Sequence, residues 1–238
     1  MEPGPVDRPV DRLALLAALA DQHRLAIVDA LGSGDLAPGE LASHTGLSSS
    51  LLAHHLRVLE DAGAVVRRRS DADGRRAYLS LDWSPVLEAA VAAGLAGASH
   101  SSLPGRPRRV VFACTRNSAR SQLAAAMLAA TGIVPVASGG TQPDPAIHPL
   151  ALAELERRGL SPVAAAPMHV DRVRAEGDLV VAVCDLAYES CGGDLHWSIP
   201  DPAVEGTSRA FRAAFDALEP RVRRLAASLT LTSNQGSP

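Results

Sequence analysis

RRVVFACTRNSARSQLAAAMLAA, residues 108–130, joins a β-branched run to an alanine-rich helical stretch through a loop that begins with a cysteine. VVFA has the composition of a buried parallel strand, and SQLAAAMLAA that of a helix ended by Thr131-Gly132. Between them stand Cys114, five residues, then Arg120 and Ser121. A strand–loop–helix of this length turns successive backbone N–H groups and a helix N-terminus into one cavity, which suits a tetrahedral oxyanion. Thr115, Arg116, Asn117, Ser118, Ala119 and Arg120 are the expected oxyanion-binding residues, with the Arg120 guanidinium as a planar fork for two oxygens. Cys114 is the expected nucleophile, because a helix N-terminus and an arginine favour an anion where a thiolate is needed. Ser121 stands ready to donate a hydrogen bond to it.

Downstream, IVPVAS at 133–138 reads as a second strand, SGGT at 138–141 as a turn, HPLALAELERRG at 148–159 as a helix, and DLVVAVCD at 178–185 as another buried strand. Strands alternating with helical periods predict an α/β domain with a parallel sheet. Cys184 ends the DLVVAVC run, and Cys191 follows after DLAYES. With Cys114 these make three cysteines, an odd number that fits redox or catalytic chemistry better than a disulfide frame. Asp201-Pro202 stands in HWSIPDPA at 196–203, after the last of these apolar runs. The last helix carries the stripe Phe211, Phe215, Leu218, Val222 and Leu225, interrupted by Pro220, which predicts a kink.

The C-x5-R-S loop between strand and helix resembles the low-molecular-weight protein tyrosine phosphatase superfamily, which includes the thioredoxin-coupled arsenate reductases, over about residues 108–230. The resemblance implies a four-stranded parallel sheet wrapped by helices. In the reductases a pair spaced like Cys184 and Cys191 carries the electrons out, so the resemblance implies catalytic roles for Cys114, Arg120, Ser121, Cys184, Cys191 and Asp201. It implies arsenate or a phosphate-like oxyanion as substrate, thioredoxin as electron donor, and no bound cofactor. A phosphatase of the same superfamily would use Cys114 and Asp201 without the pair.

Residues 10–20 and 24–31 show helical spacing, with Leu13, Leu16 and Ala17 on one apolar face and Leu25, Val28 and Leu31 on the next, and Asp21 as an N-cap between them. A short helix starts at Pro38, TGLS at 45–48 turns around Gly46, and a longer helix runs from about Ser49 to Ala62 with Leu52, Leu56 and Leu59 as its core face. VVRRR at 65–69 and RAYLSL at 76–81 flank a turn at Asp73-Gly74, a hairpin. Helix, turn, helix and hairpin make a winged helix-turn-helix, whose second helix enters a major groove. Ser49, Ser50, His54 and Arg57 lie on that helix's outer face; Arg67, Arg68, Arg69, Arg75 and Arg76 cluster at the wing, against phosphates.

LASHTGLSSSLLAHHLRVLEDAGAVVRRR at 41–69, above all HHLRVLEDAG, resembles the ArsR/SmtB family of metal- and metalloid-responsive repressors over about the first 95 residues. That resemblance implies a homodimer, held by the first helix and a last one near 84–97, on double-stranded operator DNA. The position where the family often carries cysteines reads APGEL, and SPVLEAAVAAGLAGA offers only Glu88, so no metal site is expected. His44 and His54 are read as exposed residues and His55 as packed near the core.

The 238 residues divide into a mainly α winged helix-turn-helix domain at 1–97, a linker at 98–107 (ASHSSLPGRP) and an α/β reductase-like or phosphatase-like domain at 108–233. The net charge of −3 excludes a broadly basic nucleic-acid coat but not a local patch. No apolar stretch approaches the ~18 residues of a membrane span, and MEPGPVDRPV lacks the features of a signal peptide. A cytoplasmic protein with reduced cysteines is expected. The sequence leaves three readings open: a bifunctional arsenate reductase with a transcription-regulating domain, a phosphatase fused to a DNA-binding domain, and a non-catalytic oxyanion-sensing transcription factor.

Overall fold

The computed structural model describes residues 11–82 and 107–234, which fall into two compact units. The first takes in residues 11–32, 36–67 and 79–82; the second takes in 107–234 with Ser33–Asp35 and Arg68–Tyr78. The helix expected near 84–97 and nearly all of the linker lie outside the described residues.

In the first unit, α1 (Arg12–Leu19) and α2 (Gln22–Leu31) begin where the carboxylates of Asp11 and Asp21 accept the N–H groups two and three residues on. Such caps contribute about 1 kcal/mol each. α3 (Pro38–Thr45) starts on its proline, with Glu40 reaching back to the Ala37 N–H at 2.7 Å. Gly46, at φ +68°, closes α3 and turns the chain into α4 (Ser49–Asp61), capped by Ser48. Leu52, Leu56 and Leu59 are buried with Ile27, Leu31 and Leu41 in one core. For α1 the periodicity picks the wrong face: Leu15, Ala18 and Leu19 are buried, whereas Leu13 is 78% and Leu16 44% exposed. Apolar residues run nearly all round this helix, so spacing alone does not distinguish the two faces. β1 (Val65–Arg69) and β2 (Ala77–Leu81) form a two-stranded sheet, completing the winged helix-turn-helix.

The second unit is built on four parallel strands in the order β4-β3-β5-β6, where β3 is Arg109–Cys114, β4 Val136–Gly140, β5 Asp178–Ala182 and β6 Leu195–His196. β3 lies inside the sheet with Val110 to Cys114 all buried, which is why its sequence is an unbroken apolar run. α5 (Arg120–Ala129) is buried along nearly its whole length, which explains its small residues. α6 (Pro149–Arg157), α7 (Val170–Val173), α8 (Asp185–Cys191), α9 (Pro202–Glu205) and α10 (Ser208–Asn234) follow. Phe211, Phe215, Leu218, Val222 and Leu225 are the buried stripe of α10, and Pro220 lies inside the helix.

SGGT is not a turn. Gly139 and Gly140 extend β4, and each lacks a side chain because backbone passes too close. A Cβ on Gly139 would stand 2.7 Å from Val170 Cα, and one on Gly140 would stand 2.8 Å from Thr115 O and 2.9 Å from Asn117 N. The second of these contacts presses the end of β4 against the loop after β3.

Candidate active site

The loop between β3 and α5 wraps around the Cys114 thiol. Asn117, at φ +49°, is the one non-glycine with positive φ among the described residues, and its N–H donates to Cys114 Sγ at 3.1 Å. Asparagine tolerates this conformation better than most residues, and here its buried side chain is fully engaged. Nδ2 donates to Ser121 Oγ and Ser138 Oγ, both at 2.9 Å, while Oδ1 accepts the Met168 N–H at 2.9 Å. The Ser121 oxygen, which accepts from Asn117, also lies 3.0 Å from Cys114 Sγ, so its hydroxyl donates to that sulfur once the sulfur is a thiolate.

An oxyanion cradle needs amides turned inward and carbonyls turned away. The carbonyls of Cys114, Thr115, Arg116 and Ser118 accept the N–H groups of Thr141, Gln142, Asp144 and His148. Segment 141–148 thus holds the loop from outside. Asp144 also takes the Arg116 guanidinium at 3.2 Å and the Ser118 hydroxyl at 2.8 Å. Arg116 is more than half exposed, and its guanidinium pairs with Asp144.

Arg120 is 5% exposed. Its NH1 donates to Ile199 O at 3.0 Å and its NH2 to Asp201 Oδ2 at 2.8 Å, which brings the fork and the candidate acid together. Burial opposes the Arg120 charge, but Cys184, Cys114 and Asp201 outweigh it and hold the guanidinium above its ordinary value. Asp201 also caps α9, accepting the Ala203 N–H at 3.0 Å.

Cys184 is buried, and its Sγ lies 3.4 Å from Thr115 Oγ1, on the residue after the nucleophile. Burial pushes its thiol up; Arg120 and the Thr115 hydrogen bond pull it down, and Cys114 adds to the rise. Cys191 ends α8, half-buried, donating to Ala187 O at 3.1 Å. Burial raises its thiol as well, with Arg174 lowering it and Asp171 raising it. The structure therefore puts Cys114, Ser121, Arg120, Asp201 and Cys184 together and leaves Cys191 at the far end of α8.

Asp185 opens that helix. Its Oδ1 meets His196 Nε2 at 3.0 Å, both side chains almost fully buried, and its Oδ2 accepts the Asp71 N–H at 2.8 Å. Burial alone would raise this carboxyl, but His196, the Asp71 N–H and Ser198 bring it below the usual range. Glu189 accepts from Ser70 Oγ at 2.8 Å and Tyr78 OH at 3.1 Å, and Tyr188 stacks on His196 at 4.3 Å. Ser70, Asp71 and Tyr78 thus pack on α8 within the second unit.

On α4, Ser49, Ser50, His54 and Arg57 are exposed, as a groove-facing surface requires, and His55 is buried. Of the hairpin arginines, Arg69, Arg75 and Arg76 are exposed, Arg67 is paired with Glu60 at 3.0 Å, and Arg68 is half-buried beside Asp71 at 3.4 Å. Sequence reasoning missed Ser138, Gly140 and Asp144; Gly140 alone gave a signal, as a glycine at the end of an apolar strand.

A family profile described as low molecular weight phosphotyrosine protein phosphatase matches residues 109–235, and one for bacterial regulatory proteins of the arsR family matches residues 11–66. The nodulation protein NolR of Rhizobium meliloti is 35% identical over 91 residues, spanning 37% of this chain and 72% of NolR. An arsenate reductase from Archaeoglobus fulgidus DSM 4304 is similar in structure at 27% identity and TM-score 0.44, over 50% of this chain and 98% of its own. The YwlE arginine phosphatase from Geobacillus stearothermophilus is similar at 25% identity and TM-score 0.48, over 56% of this chain and 99% of its own.

Proposed function

Because this chain belongs to the low molecular weight phosphotyrosine protein phosphatase family and, over its first part, to the arsR family of bacterial regulatory proteins, we propose that it reduces arsenate through a three-cysteine relay and regulates transcription through its winged helix. The observation that carries the reductase reading is Cys184 against the loop of Cys114, with Cys191 on the same short helix.

The Cys114 thiolate displaces hydroxide from arsenate, with Asp201 protonating the departing oxygen, and forms a sulfur–arsenic bond. Cys184 then attacks the Cys114 sulfur. The Cys114–Cys184 disulfide forms, the sulfur–arsenic bond breaks, and its electron pair leaves with arsenic as arsenite. Cys191 attacks Cys184, giving Cys184–Cys191 and returning Cys114 as thiolate. A dithiol such as thioredoxin reduces the last disulfide. α8 must unwind for that step: seven helical residues span about 10 Å, whereas disulfide-bonded Cα atoms lie about 4.4–6.8 Å apart. Gly192, at φ +70°, ends the helix and supplies the pivot. Arsenate binding also requires Asp201 to yield part of the Arg120 fork.

The exposed face of α4, with Arg69, Arg75 and Arg76, is the operator-binding surface in this reading. Leu13 and Leu16, exposed on α1, support a homodimer formed through that helix. A relay that needs reduced thiols places the protein in the cytoplasm. Phosphate-monoester hydrolysis is the second reading, favoured by the Arg120–Asp201 contact, since fork and acid would serve it without the cysteine pair.

Trapping tests the choice. Cys191→Ser protein, mixed with one equivalent of arsenate, quenched in acid and mapped by mass spectrometry, is expected to carry a Cys114–Cys184 disulfide. Free thiols at both positions, with aryl phosphate hydrolysed by the wild type, would transfer the protein to the phosphatases.

A further inference from the structure

Residues far apart in the first unit converge at the start of α2. Asp21 caps that helix, His23 stands two residues on, and His55 projects from α4. His55 Nδ1 lies 3.8 Å and His23 Nδ1 3.9 Å from Asp21 Oδ1, and the three candidate ligand atoms all fall within 4.8 Å of one another. Tetrahedral zinc with nitrogen and oxygen ligands separates its donors by about 3.4 Å, so closing this set takes small side-chain movements.

His55 supplies the second observation. It is 6% exposed, and neither ring nitrogen has a hydrogen-bond partner. A buried polar group left so costs about 1–3 kcal/mol, and its Nδ1 is directed at the Asp21 carboxylate. The N–H groups of His23 and Arg24, at 2.9 and 3.0 Å, donate to the same Oδ1 and hold the carboxylate in place. Arg24 NH1 stands 3.9 Å from Asp21 Oδ2. The side chains of His23 and Asp21 are 40% and 29% exposed, which gives an ion a way in.

We propose that Asp21, His23 and His55 form a site for a divalent transition-metal ion of the zinc and cobalt class, completed by water. Two imidazoles and a carboxylate suit such ions and are too nitrogen-rich for magnesium or calcium. The ion would tie the start of α2 to the groove-facing helix α4. The sequence predicts no metal because the positions where the resembled family carries ligands lack them, and His55 reads as a core residue.

The test uses the full chain, reduced and stripped with a chelator, then titrated with Co2+ alone and, separately, Zn2+ alone. The wild type is expected to take up one ion per chain with the visible bands of nitrogen- and oxygen-ligated cobalt, and its melting temperature is expected to rise with Zn2+. His23→Gln, at a half-exposed position that tolerates the change, is expected to bind about tenfold more weakly or worse and to lose the thermal shift. No uptake by the wild type, equal affinity in H23Q, or uptake accompanied by thiolate-to-cobalt charge transfer would each overturn the site.

Discussion

Asn117 and Ser121 act on Cys114 as a pair. Asn117 donates its amide to the Ser121 oxygen, and the serine hydroxyl donates to the Cys114 sulfur once that is a thiolate. Ser121→Ala is therefore expected to lower turnover by about 100- to 1,000-fold, in line with the loss of one oriented donor to an anion, with arsenate binding little changed. Equal steady-state kcat in variant and wild type would remove Ser121 from the mechanism. Cys191 makes a pH prediction. Its thiol lies above the ordinary value through burial, and Asp171 adds to the rise. A raised thiol is mostly protonated at neutral pH, so formation of Cys184–Cys191 should quicken as pH rises through and beyond the ordinary thiol range. Asp171→Asn removes the charge that raises it and frees Arg174, its partner at 2.7 Å, to lower it. Stopped-flow at pH 7.5 is expected to show a faster final step in D171N, and a slower one would reverse the assignment.

At the scale of elements, the loop and the end of β4 are one construction. Gly140→Ala would place a methyl against Thr115 O and Asn117 N, both backbone atoms, so that the loop itself has to shift. The expected result is a folded protein whose loop is displaced, with at least about 100-fold less turnover, since small misplacements of a reacting group cost that much; unchanged kinetics would show that the loop tolerates the shift. These elements also show what sequence can carry. β3, the loop and α5 are legible because a buried central strand and a buried helix leave unbroken apolar runs, and chemistry fixes Cys114 and Arg120 between them. Gly140, Ser138 and Asp144 are not, because each acts by meeting the loop from a different segment. The core face of α1 is illegible for another reason: Leu13, Leu15, Leu16 and Leu19 put apolar residues on both sides of one helix.

At the scale of the whole molecule, the three cysteines and the hairpin turn share the second unit. Ser70, Asp71 and Tyr78 hydrogen-bond to residues of α8, the helix that the proposed relay must unwind. Arg69, Arg75 and Arg76 belong to the same hairpin. Oxidation to Cys184–Cys191 is therefore expected to weaken operator binding, by about 5- to 150-fold as coupled equilibria usually allow. Fluorescence anisotropy on reduced and oxidised protein reads this directly, and equal affinities would separate the two activities. None of it is visible in sequence, where the hairpin and α8 are more than a hundred residues apart.

The most direct test of the central claim is arsenate-dependent NADPH oxidation, coupled through thioredoxin and thioredoxin reductase, for wild type and Cys191→Ser together. The account predicts sustained turnover in the wild type and at most one round in the variant. No arsenate-dependent oxidation by the wild type, or equal turnover in both, would contradict it.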